Sequence, residues 1–219
     1  MAQDKRIIMR LIQAAFSRRP FSSLICWHGP RAAGAVAVTL DDGPNGRFTP
    51  VVLDLLRAAG AQATFFVEGQ RVPRHPDLVR RMAAEGHEIG NHGFEHEGEL
   101  CGQAERCRQA LGACGFSTRL FRPPMGRVAL RDLPGLWRRG HRVVLWSFDT
   151  RDSLRFEGKW AGPAPDYRGI GAGDIILMHD DNPLCVAELP ALLDCLRRKN
   201  LRTATVSALQ GALGHCRGT

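Results

Sequence analysis

The feature that most constrains this chain is an alternation: short apolar runs end on charged or polar residues, and most are followed by a segment with a helical apolar face. The run AVAVTL at residues 35–40 delivers Asp41 and Asp42, RVVLWSF at 142–148 delivers Asp149, and DIILM at 174–178 delivers His179. Residues 63–67, 87–90, 118–121 and 202–206 read as further short strands. Thr49 and Pro50 open a helix that Gly60 stops, Pro76 opens one that Gly86 closes, and residues 99–113 and 186–198 carry two more. A helical segment before Gly140 is expected to break near Pro134, and the glycine- and proline-rich residues 152–173 to form a long loop with a helical turn. About six or seven strands alternating with helices argue for one α/β domain, closing as a distorted or incomplete parallel (β/α) barrel. In parallel α/β folds the carboxyl edge of the sheet carries the site, and Asp41, Asp42, Arg122, Asp149 and His179 all follow strands in this reading.

The chain has 219 residues, enough for one substantial domain with its own core. Residues 1–34 read as an N-terminal extension packed on the domain, and 35–219 as the domain that carries the chemistry. A formal charge of +8 would attract nucleic acid, an anionic membrane or an acidic substrate alike. The basic residues are spread from Lys5 to Arg217 without a basic and aromatic stripe, so no nucleic-acid partner is expected. The cysteines, 7 in all, are odd in number and contain no close C-x-x-C pair, which favours free thiols over a disulfide framework or a structural zinc. No stretch reaches transmembrane length, and the basic N-terminus lacks a long apolar run before a cleavage site. The expected location is cytoplasmic. Residues 5–16 could form a basic amphipathic helix, expected to pack on its own domain, with peripheral membrane contact as the alternative. A dinucleotide fingerprint and a phosphate-binding loop are both missing from the sequence.

His92 and His96 stand four positions apart, so a helical turn or a tight loop could aim both imidazoles at one ion, with a distant carboxylate such as Asp42 as third ligand. Neighbouring Asp41 and Asp42 point to different sides of an extended segment, so one can bind metal while the other accepts a proton. Gly43 and Pro44 suit a sharp turn beyond them.

Taken in order, TLDDGP at 39–44, HGFEH at 92–96, FRPPMG at 121–126, WSFDTRD at 146–152 and ILMHD at 176–180 resemble the signatures of the polysaccharide deacetylase family, also called carbohydrate esterase family 4. That family includes nodulation chitooligosaccharide deacetylases and peptidoglycan deacetylases. The resemblance spans residues 35–206. It implies that Asp41 is the general base, that Asp42, His92 and His96 hold one divalent metal ion, usually zinc, and that His179 is the general acid. Arg122 would orient Asp41, and Asp152 would tune His179, with Asp149 as the less favoured candidate. The metal would polarise the acetyl carbonyl and acidify a water, and a backbone N–H near Pro124, Met125 and Gly126 would hold the oxyanion. A general acid is needed because an amide C–N bond breaks poorly if nitrogen must leave as an anion.

Phe65, Phe66, Trp146 and Phe148 read first as core, with Trp146 kept as a candidate substrate contact beside Pro124, Met125 and Gly126. Leu177 is expected to line the acetyl pocket. Three positions depart from the family pattern: Gly93 replaces a serine or threonine, Met125 a tyrosine, and Ser153 a tryptophan. Fewer aromatic surfaces point away from a polymeric chitin-like substrate, and the lack of a clear export signal favours a soluble oligosaccharide, a nucleotide- or lipid-linked sugar, or another acylated small molecule. The expected reaction is removal of the N-acetyl group from an amino sugar or short oligosaccharide. The alternatives are an amidase or deformylase acting on a non-polymeric or lipid-linked substrate, and a glycan-binding protein without catalysis.

Overall fold

The computed structural model describes residues 25–211; the segment 5–16 considered for membrane contact lies outside them. In chain order the elements are β1 (Ile25–Cys26), β2 (Ala35–Asp41), α1 (Thr49–Ala58), β3 (Ala63–Val67), α2 (Pro76–Ala84), β4 (Glu88–Asn91), α3 (Leu100–Ala113), β5 (Leu120–Phe121), α4 (Leu133–Arg138), β6 (Arg142–Val144), β7 (Phe148–Asp149), α5 (Asp152–Phe156), β8 (Ile175–His179), α6 (Pro183–Arg198), β9 (Arg202–Thr203) and α7 (Val206–Gly211). The strand order is β1-β6-β5-β4-β3-β2-β8-β7, and β9 pairs with the start of β2. Every one of these pairings is parallel. Strand β1 lies within the stretch read as an extension.

The run at 142–148, read as one strand, is two. Strand β6 pairs with β1 and β5 near one end of the sheet, and β7 pairs with β8 at the other. Three residues cross the gap: Leu145 N–H donates to the Cys26 carbonyl at 2.7 Å, and Ser147 N–H to the Ile175 carbonyl at 3.0 Å. A second tie crosses the same seam, where Gly29 N–H donates to the Gly173 carbonyl at 2.7 Å. The sheet therefore curls until its ends are joined by covalent chain and single hydrogen bonds rather than by a ladder, which is the incomplete closure the alternation implied. Among the described residues no helix is long and apolar enough to cross a membrane.

Strand periodicity decides which side chains face the barrel interior. Val36, Val38 and Leu40 of β2 pack outward with Leu53 and Leu56 of α1 and with Leu192 and Leu196 of α6. Ala35 and Ala37 point the other way, into a cluster with Phe66, Val144 and Ile175. All seven residues of β2 are buried, as a central strand covered on both faces must be. The inward parity of Ala35, Ala37 and Thr39 continues to Asp41, and that of Ile175 and Leu177 to His179. Strand register brings the two together, Asp41 standing opposite His179 across the β2–β8 ladder.

Candidate active site

Asp41 ends β2 with its side chain 3% exposed, and Arg122, directly after β5, is fully buried. One guanidinium nitrogen, Nη1, donates to Asp41 Oδ1 at 2.7 Å and to Thr39 Oγ1 at 2.6 Å. The remaining nitrogens are committed to main chain: Nε to the Val144 carbonyl at 3.3 Å and Nη2 to the Leu145 carbonyl at 3.1 Å. Arg122 therefore meets Asp41 through a single nitrogen, because the other two prongs of the fork hold the carbonyls where the chain leaves β6. Burial lowers the Arg122 pKa, and the Asp41 charge counters it. The guanidinium also lies 4.2 Å from the Phe66 ring centroid.

Asp42 would by strand parity point away from the interior. Its φ of 71° places it in the left-handed region, which an aspartate tolerates better than most side chains, and this turns the chain at the strand end. Its Oδ1 lies 3.2 Å from His92 Nε2 and 3.0 Å from His96 Nε2. Burial opposes the Asp42 charge, but the contacts from His92 and His96 outweigh it and hold the carboxyl well below the usual range. The same contact raises His96. Beyond Asp42, Gly43 passes so close to the Asp180 carboxylate that an added Cβ would overlap it. Buried Asp180 accepts from the Thr49 hydroxyl, and burial pushes its carboxyl up to about 7.

The two histidines lie on the loop between β4 and α3, not on a helix. His92 faces the Arg122 carbonyl with Nδ1 at 2.9 Å, so that nitrogen carries the proton and leaves the Nε2 lone pair toward Asp42. Asn91 pins the loop, accepting from Gly93 N–H at 2.8 Å and donating to the Ala104 carbonyl at 2.7 Å. Gly93 has φ 85°, a left-handed conformation that glycine, standing where the family has serine or threonine, adopts without a steric penalty. Gln103 Oε1 accepts the N–H groups of Phe94 and Glu95 and holds the approach to His96.

One donor atom each from Asp42, His92 and His96 lie within 4.8 Å of one another. Asp42 Oδ1 is buried without a hydrogen-bond partner, and two imidazole nitrogens face it, so the set fits a divalent cation.

On the other side of Asp41, His179 Nδ1 lies 2.9 Å from Asp152 Oδ1, and its backbone N–H donates to Asp152 Oδ2 at 2.9 Å. Asp152 is fully buried and also accepts from the Thr150 hydroxyl at 3.0 Å and from Asn182 Nδ2 at 3.2 Å. Asn182 caps α6 with its Oδ1, which ties this helix start to the pair. Burial works against the imidazolium, but Asp152, then Asp42 and Asp41, raise His179 to about 10. Asp152 itself is lowered, since the His179 contacts outweigh its burial. Asp149 is spent on a turn, accepting from Arg151 N–H at 2.8 Å, and burial raises it.

Pro124 is buried and Met125, with φ 55°, is 60% exposed. Gly126 packs against Trp146, which also flanks Arg122 at 5.6 Å from the ring centroid, and Leu177 is buried beside His179. Ser153 lies on α5. Sequence reasoning missed Thr39, Asn91, Asn182 and Glu68. Of these only Glu68 carried a usable signal, being the charged residue directly after the strand at 63–67.

Residues 28–133 match the family model described as polysaccharide deacetylase. The chain is 36% identical over 203 residues to a peptidoglycan-N-acetylglucosamine deacetylase of Bacillus cereus, covering 84% of this chain and 92% of that protein. It is 36% identical over 167 residues to a chitooligosaccharide deacetylase of Sinorhizobium fredii, covering 69% of this chain and 74% of that one. The fold superposes on the crystal structure of a peptidoglycan N-acetylglucosamine deacetylase with a TM-score of 0.76 and 27% identity, over 88% of this chain and 97% of the other.

Proposed function

We propose that this chain, which belongs to the polysaccharide deacetylase family, hydrolyses the N-acetyl group of an amino sugar within a short N-acetylated oligosaccharide, releasing acetate and a free amine. The observation that carries the reading is the arrangement around the cation site. Asp41, held by Arg122, stands 3.8 Å from His92 Nε2, and the His179–Asp152 pair lies across the ladder from it. A carboxylate and an imidazolium thus flank one cation site, as hydrolysis of an amide requires.

Asp42, His92 and His96 would hold a divalent ion, for which two imidazoles with one carboxylate favour zinc, and when bound it would supply Lewis-acid polarisation of the acetyl carbonyl and lower the pKa of a water. Asp41 takes the proton of the attacking water through the oxygen that Arg122 leaves free, Oδ2. The Gly126 and Arg127 N–H groups are spent on the carbonyls of Pro123 and Pro124, which leaves the Met125 N–H for the oxyanion. His179 has Nδ1 committed to Asp152, so its Nε2 delivers the proton to the departing nitrogen, and the product leaves as a neutral amine. Leu177, buried two residues before His179 on the same strand, and Trp146, against Gly126, are the side chains assigned to the acetyl methyl. Asp152 is assigned the tuning role and Asp149 a structural one, because only Asp152 contacts the imidazole.

The test is acetate release from chitooligosaccharides and soluble peptidoglycan fragments by zinc-reconstituted protein, with Asp41→Asn as control. Release that disappears in the control while zinc stays bound is the expected result. No release from either substrate, with zinc bound, would overturn the reading.

A further inference from the structure

Glu68 follows β3 and is held at the same carboxyl edge as Asp41 and Asp42, because its N–H donates to the Gly43 carbonyl at 2.8 Å. Its side chain is 4% exposed. One oxygen, Oε2, is clamped by Arg71 Nε at 2.5 Å and by Gln70 Nε2 at 3.3 Å. The other, Oε1, lies 3.1 Å from His96 Nε2, the same nitrogen that faces Asp42 Oδ1 at 3.0 Å. Arg71 also reaches Asp181 Oδ2 at 3.5 Å, which fixes this wall of the cleft from β8 as well as from β3.

A single imidazole nitrogen can offer one proton or one lone pair. With a cation bound, His96 Nε2 directs its lone pair at the ion, and no proton remains there for Glu68 Oε1 to accept. Glu68 Oε1, buried and outside the contacts that Arg71 and Gln70 make to Oε2, would then face the ion that His96 helps to hold. Glu68 stands just outside the three residues whose donor atoms are mutually close, on the His96 side, and the single oxygen left free by Arg71 and Gln70 is the one that points there.

We propose that Glu68 is the second carboxylate of the cation site, acting on the ion through Oε1 while Arg71 and Gln70 hold Oε2. The inference rests on the Asp42, His92 and His96 reading of the metal site. It adds a negative charge and an oxygen donor to the His96 side, which strengthens divalent-cation binding and shifts the donor set toward oxygen.

The experiment compares Glu68→Gln, Glu68→Asp and Asp42→Ala with the wild-type protein, using Zn²⁺ affinity by competition with a chromophoric chelator and the visible spectrum of the Co²⁺-loaded form. Glu68→Gln keeps size and polarity, and thermal denaturation of the metal-free protein checks that it folds. It should weaken Zn²⁺ binding about 10-fold or more and change the position and intensity of the Co²⁺ bands. Glu68→Asp withdraws the carboxylate by one methylene and should fall between. Wild-type affinity and an unchanged Co²⁺ spectrum in both Glu68 variants, with binding lost in Asp42→Ala, would overturn the role of Glu68 alone. Binding retained in Asp42→Ala would overturn the metal-site reading on which it rests.

Discussion

Replacing Asp152 by asparagine tests the acid side of the mechanism. Its carboxylate has all four lone-pair positions occupied, Oδ1 by Thr150 and His179 Nδ1, Oδ2 by the His179 N–H and Asn182. An asparagine offers two acceptor positions and two N–H donors, so about half of these contacts become donor against donor whichever way the amide turns. With buried donors left unpaired at about 1–3 kcal/mol each, the variant should lose about 2–4 kcal/mol of stability, read by urea denaturation. The sign with pH follows from the two shifts. His179, raised from its ordinary 6.5 to about 10, contributes stability that is complete below 6.5 and lost as pH rises through about 10. Asp152, lowered from its ordinary 3.8, contributes stability present above that value and lost as pH falls through its depressed pKa. The difference between wild type and variant is therefore largest at neutral pH and shrinks at both extremes. In catalysis, removing an adjacent charge should move the basic limb of kcat/KM for acetate release to lower pH by about 1–3 units, since less His179 remains protonated. A variant whose basic limb and urea midpoint both overlay the wild type would refute the assignment of Asp152 as the group that keeps His179 charged.

Arg122→Lys replaces a fork with four contacts by one ammonium that cannot hold Thr39, Asp41 and two carbonyls together. It should cost at least about 3 kcal/mol in denaturation and reduce turnover, and wild-type stability would show that the fork is dispensable. Gly43→Ala should lower the melting temperature through a loss of about 1–3 kcal/mol and reduce metal occupancy, because its Cβ would press the Asp42 turn off the Asp180 carboxylate. An unchanged melting temperature and metal content would mean that this turn can shift freely.

The strand and helix alternation was legible because it rests on local periodicity, and the same parity that buries Ala35 and Ala37 carries Asp41 inward. Asp41, Asp42, His92, His96, Arg122 and His179 were legible because they sit in short motifs, or directly after apolar runs, where a parallel sheet exposes its carboxyl edge. Three things needed the tertiary structure. The run at 142–148 contains no glycine or proline, and Ser147 alone does not reveal that Leu145, Trp146 and Ser147 cross from one end of the sheet to the other. The family motif already preferred Asp152 to Asp149, but the physical reason lies in the fold, where the left-handed Arg151 just before α5 puts Asp152 against His179 while Asp149 is spent on the turn. Glu68 stands 28 residues before His96, outside any shared motif. It meets that histidine because β3 lies between β2 and β4 and its end is tied to the Gly43 turn. Local pattern thus determined which edge of the sheet would carry the chemistry, while long-range register and the path of the chain across the barrel seam decided which side chains meet there.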